Sequence, residues 1–149
     1  MEHISNLLLD KNADVIGFQE VRTLNRQSAL NILTPYRMNS DLPIDGTIPM
    51  PSTSRTMMDL VYYYLGDEYP WAVFVPMAGF HDGTQEGVAI MSKHPIVEIS
   101  AGDLNVVGQY SDRNTRGVLR GRISIPNRDN PDEELFMDFF NTHLTYDDK

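Results

Sequence analysis

Ala13-Asp14-Val15-Ile16-Gly17-Phe18-Gln19-Glu20-Val21-Arg22 is the stretch on which the fold turns. Its apolar run, Val15 to Phe18, is short, holds β-branched residues and breaks off at Gln19 and Glu20. That pattern predicts a buried central strand whose carboxyl end opens into a site. Side chains at such strand ends are held by a rigid sheet and still reach solvent, which is why α/β folds place chemistry there. Taken alone, Glu20 also suits a solvated strand cap, the ordinary place for an acidic side chain. The segments on either side decide between the two.

Upstream, Ile4, Leu7 and Leu8 recur at helical spacing and Leu9 widens the stripe, predicting a helix over 2–11 that ends at Lys11 and Asn12. A helix running straight into a buried strand is half of a βαβ unit. No strand precedes it, so the chain is expected to begin after the first strand of its domain.

Downstream, Leu24, Ala29, Leu30, Ile32 and Leu33 predict a second helix over 22–33. Residues 34–56 lack periodicity and carry Pro35, Pro43, Gly46, Pro49 and Pro51, the composition of a mobile loop beside a site mouth. Met57, Val61, Tyr64 and Leu65 predict a third helix, stopped by Gly66 and Pro70. On that helix Tyr62, Tyr63 and Tyr64 point in three directions, which favours packing over a base-stacking surface. Strands are then predicted over 71–75, 87–92, from 96, over 117–125 and over 135–141. Lys93-His94-Pro95 makes a turn, and residues 126–134 make a polar hairpin loop. No internal repeat, linker or domain boundary interrupts this order.

Composition narrows the function. A chain of 149 residues with 41% hydrophobic residues suits one domain with a sizeable core. No run approaches the roughly 20 apolar residues of a membrane helix. Residues Met1 to Ser5 carry no basic region of a signal peptide, and localisation stays open. With no cysteine there is no disulfide, thiolate metal site or cysteine nucleophile. The net charge of −9 speaks against a broad basic surface for nucleic acid. It is compatible with a phosphate substrate, because a divalent cation supplies positive charge locally.

Four segments stand in a fixed order: Gln19-Glu20; the run from Glu86 to Ile96; Arg116-Gly117-Val118-Leu119-Arg120; and Asn141-Thr142-His143-Leu144. In this order and spacing the chain, from about Leu7 to Leu144, resembles the endonuclease/exonuclease/phosphatase superfamily. That is the fold of pancreatic deoxyribonuclease, neutral sphingomyelinases and inositol-polyphosphate phosphatases. The resemblance implies an α/β sandwich of the deoxyribonuclease-like type, a mixed but mostly antiparallel sheet flanked by helices. It also implies that residues 1–149 are a partial domain, with the first strand and the C-terminal half absent. The family's asparagine on the first strand has no counterpart before the helix at 2–11. Its Gly-Asp-x-Asn and Ser-Asp-His segments, which activate water, would fall beyond Lys149.

The same resemblance assigns roles. Glu20 matches the glutamate that binds a catalytic Mg²⁺ or Mn²⁺. His143 matches the histidine against the scissile phosphate, and Glu86 the glutamate that pairs with it in deoxyribonuclease-like members. Arg116 is the candidate phosphate contact, with Arg113 and Arg120 as rivals. His3, His81 and His94 lack a partner at ligand spacing and read as structural or surface residues. Asp147 and Asp148 read as a solvated tail. The chemistry is coherent: Mg²⁺ is held through one or two carboxylates plus waters and substrate oxygens, so one glutamate suffices as a protein ligand. The implied function is Mg²⁺-dependent hydrolysis of a phosphoester (nucleic acid, phospholipid head group or inositol phosphate), weak or absent in this chain alone. The alternative is a non-catalytic binding or regulatory fragment that keeps the fold without the water-activating residues. Neither substrate nor oligomeric state is legible.

Overall fold

The computed structural model describes residues 2–22, 36–37, 57–79, 85–103 and 117–144. The helix expected over 22–33 lies outside them apart from Arg22, and the loop expected over 34–56 apart from Tyr36 and Arg37.

Helix α1 (Glu2–Lys11) ends where Asn12 turns left-handed, at φ 51°, its N–H reaching back to the Leu8 and Leu9 carbonyls. Asparagine tolerates that conformation better than most residues. Strand β1 (Val15–Arg22) follows, then β2 (Tyr36–Arg37), helix α2 (Met57–Leu65), β3 (Trp71–Gly79), β4 (Gln85–Ser92), β5 (Ile96–Asp103), β6 (Gly117–Pro126) and β7 (Glu134–Thr142). The strands form two antiparallel sheets, one ordered β1-β4-β3-β2 and one ordered β5-β6-β7.

Alternation along the strands builds two apolar layers. Val73, Val75, Val88 and Ile90 face the second sheet and pack on Ile96, Leu119 and Ile123. Ile16, Ala72, Phe74, Ala89 and Met91 face the other way and are covered by Val61, Tyr62 and Leu65 of α2 and by Leu8 of α1. A four-stranded sheet is thus buried on both faces, which is why β3 and β4 read as continuous apolar runs.

Several expectations are corrected by this packing. The buried face of α1 is centred on Ser5 and Leu8, while Ile4, Leu7 and Leu9 are exposed. Leucines surround this helix, so sequence periodicity does not single out the side that meets α2. Among the described residues β1 is the edge strand of its sheet, paired with β4 alone, rather than a central strand. It does not stop at Gln19 but continues to Arg22 opposite Glu86, through an irregularity described below. Within the expected loop, Tyr36 and Arg37 form a short strand against Phe74 and Val73. β3 also runs on past Pro76, whose missing N–H is accommodated at a register shift between Pro76 and Ala78.

At the end of β1 remote from Glu20, Lys93 ties the layers together. Its ammonium meets Asn12 Oδ1, lies 3.0 Å from Glu68 Oε1, and sits over the Tyr69 ring.

Candidate active site

The irregularity in β1 creates the site. Phe18 pairs with Ala89 and Val21 with Gly87, so Gln19 and Glu20 together stand against the single residue Val88. One extra residue in a strand is a β-bulge, and it resets the alternation. Val21 thereby returns to the helix-covered face that Ile16 occupies before it, and Glu20 is left out of the sheet. Glu20 adopts φ 54°, a left-handed conformation that costs an L-residue about 1–2 kcal/mol. Its side chain is 67% exposed. Strain of this kind in a non-glycine residue clusters at functional sites.

β4 is crowded by β3 at this level. A Cβ on Gly87 would lie 1.9 Å from the Val75 carbonyl oxygen, so the backbones approach as only glycine permits. The neighbouring Glu86 stands opposite Arg22, with Arg22 Nε 3.9 Å from Glu86 Oε2.

The other half of the site comes from the second sheet. Where β7 ends, Asn141 turns its amide into the space between the sheets, 7% exposed. Its Nδ2 donates to the Phe18 carbonyl at 2.8 Å and to the Ala89 carbonyl at 2.9 Å. Thr142 donates through Oγ1 to the Gly117 carbonyl, and Gln19 donates through Nε2 to the Thr142 carbonyl. Two residues beyond Asn141, the His143 Nε2 lies 3.5 Å from Glu20 Oε1. The imidazole is 29% exposed.

The structure therefore brings Glu20 and His143 together and sets Glu86 on the adjoining strand, across from Arg22. Arg116 and its rival Arg113 lie outside the described residues, as do His81, Asp147 and Asp148. The other rival, Arg120, is engaged on the outer face of the second sheet, 2.8 Å from both Glu98 and Asp138. His3 is exposed on α1, and the backbone N–H of His94 donates to Ser92 Oγ in the turn after β4. Gln19, Asn141 and Thr142 were quoted in the sequence motifs without a role. A polar residue closing an apolar strand was the one signal that marked Asn141.

Among the described residues, no group of three or more His, Cys, Asp or Glu side chains is placed to hold a metal ion. A closed tetrahedral zinc site is therefore not what these residues build. One exposed carboxylate at a strand bulge does fit Mg²⁺, which keeps most of its waters and takes oxygen ligands from its substrate.

Comparison with known proteins agrees with this geometry. The model of the Endonuclease/Exonuclease/phosphatase family matches residues 1–145. No curated protein matches the chain. Two solved structures share the fold at 15% identity each. One is an endonuclease/exonuclease/phosphatase from Beutenbergia cavernae DSM 12333, with a TM-score of 0.63, covering 99% of this chain and 33% of its own. The other is an endonuclease/exonuclease/phosphatase family protein from Leptotrichia buccalis C-1013-b, with a TM-score of 0.55, covering 95% of this chain and 46% of its own. The chain thus spans between a third and a half of these relatives. With the family match over nearly its whole length, and two sheets that meet where Glu20 faces His143, the chain belongs to the endonuclease/exonuclease/phosphatase family.

Proposed function

We propose that this chain carries part of the active site of a Mg²⁺- or Mn²⁺-dependent phosphoester hydrolase, as one portion of a longer domain. The observation that supports it most is the pairing of Glu20 with His143. The two residues come from different sheets, and Glu20 is held in a strained backbone conformation at an open bulge.

Each residue has a distinct task in this reading. Glu20 presents a carboxylate to the cation. Bound there, the cation would neutralise charge on the phosphate's non-bridging oxygens. His143 sits beside the same phosphate and offers an N–H to it. Glu86 is the carboxylate that steadies the imidazole, and Arg116 contacts the substrate phosphate. The substrate is a phosphoester, of which nucleic acid, a phospholipid head group and an inositol phosphate are the candidate classes.

Metal binding tests the reading directly. The 149-residue chain is titrated with Mn²⁺ and followed by electron paramagnetic resonance. Glu20→Gln is expected to weaken binding at least about ten-fold, since it removes the one anionic ligand. Unchanged Mn²⁺ affinity in Glu20→Gln would overturn the assignment. If Glu86 and His143 act as a unit, then in a protein extended to the whole domain the losses in bis(p-nitrophenyl) phosphate hydrolysis from Glu86→Gln and His143→Ala are non-additive. Fully additive losses would remove Glu86 from the site.

A further inference from the structure

Glu20 stands at the bulge of β1 in one sheet and His143 directly after the end of β7 in the other, so no strand ladder sets the distance between them. What crosses the gap at this end of the sandwich is the side chain of Asn141. It is buried, and both hydrogens of its single amide nitrogen are used, on the carbonyls of Phe18 and Ala89. Those two residues are directly paired across β1 and β4, and they form the last regular pair before the bulge. The hydrogen bonds therefore hold β7 to the four-stranded sheet two residues before Glu20 and two residues before His143.

Gly17 leaves room for this contact. A Cβ there would lie 3.2 Å from the Asn141 amide carbon and 3.2 Å from its nitrogen, so the amide would have to give way by a few tenths of an ångström. The contact from Gln19 to the Thr142 carbonyl runs parallel to it but is exposed to water. A hydrogen bond shielded from solvent holds geometry better than an exposed one.

We propose that Asn141 is a positioning residue: by binding the paired Phe18 and Ala89 carbonyls it sets the separation of Glu20 and His143 across the two sheets. It touches neither substrate nor cation. The inference rests on the hydrolase reading for the importance of the pair. The geometry it asserts can be measured without metal or turnover.

The chain has no cysteine, which makes thiol bridging unambiguous. Glu20→Cys/His143→Cys is treated with dibromobimane, which fluoresces once it bridges two nearby thiols. A control variant, Arg122→Cys/Asp138→Cys, places thiols on directly opposed residues of β6 and β7, away from the clasp. Adding Asn141→Ala is expected to slow bridging of the 20/143 pair by about ten-fold, the effect of losing one buried and one half-buried hydrogen bond. Bridging of the control pair should stay within about two-fold of its rate with Asn141 present. Equal 20/143 rates with and without Asn141 would overturn the proposal. So would an equal slowing of both pairs, which would mark a general loosening of the fold. If Asn141→Ala does not fold by circular dichroism, Asn141→Leu decides on the same criteria, because it fills the same space without the amide's two donors. Failure of Mn²⁺ binding leaves these rates untouched, so the hydrolase reading and the positioning role fail separately.

Discussion

At the scale of the residue, Glu20 is held where its backbone is least at ease. Glu20→Gly removes a left-handed penalty of about 1–2 kcal/mol. Against this stands roughly 0.5–1 kcal/mol of extra chain entropy that glycine loses on folding. The variant is expected to be as stable as the native chain or up to about 1.5 kcal/mol more stable in urea, while losing Mn²⁺ affinity. A clear fall in the urea midpoint would show that the contact of Glu20 with His143 contributes more than the strain costs. That outcome would set metal binding and stability against each other at one position, as the proposed role of Glu20 requires.

At the scale of the element, β4 carries the tightest constraint. In Gly87→Ala the new methyl meets the Val75 carbonyl, and the nearest atoms are all backbone. No side chain can rotate away, so a loss of about 3 kcal/mol or more is expected, read as a collapse of the urea midpoint or of soluble yield. Retention of native stability would mean that β3 and β4 part easily at their bulges. On the outer face of the second sheet, Asp138 faces Arg120 at 2.8 Å and Arg122 at 3.1 Å, with Glu98 completing the network. Burial raises the Asp138 pKa, but hydrogen bonds from Arg120 and Arg122 outweigh it and hold the group below its ordinary 3.8. A carboxylate depressed in the folded state stabilises the fold above its unfolded pKa and loses that contribution as pH falls through the folded one. Melting temperature should therefore drop as pH falls from about 4, and Asp138→Asn should make that acid limb shallower. Identical acid limbs would show that the network does not couple to folding.

At the scale of the whole molecule, β7 is the outermost strand of its sheet among the described residues. Leu135, Phe136, Met137 and Phe140 on it, and Leu144 just beyond, are all exposed. A terminal strand with apolar side chains on both faces is a template for further pairing. The isolated chain is expected to self-associate with rising concentration, and Phe136→Lys/Phe140→Lys to reduce that association in sedimentation velocity. Association unaffected by the double substitution would place the contact elsewhere. Bis(p-nitrophenyl) phosphate turnover by the 149-residue chain alone is expected to be very slow. Robust, EDTA-sensitive turnover would show that the residues present here suffice for catalysis.

The sequence by itself determined the elements whose signals are local. α2 runs from Met57 to Leu65 as its apolar spacing predicts, and the apolar runs of β3, β4 and β7 sit where strands were expected. Propensity, periodicity and helix-stopping residues act over a few positions, so one chain read in order carries them. The order of four short motifs also carried the family. Tertiary structure decided the rest. Which side of α1 is buried depends on α2, more than 45 residues later in the sequence. The bulge that carries β1 to Arg22 exists only in register with β4, and the left-handed turn of Glu20 exists only in that bulge. The reach of Asn141 between the sheets requires β1, β4 and β7 at once. Register and contact between sheets are properties of partners distant in the chain. No local pattern encodes them, and they are what set Glu20 against His143.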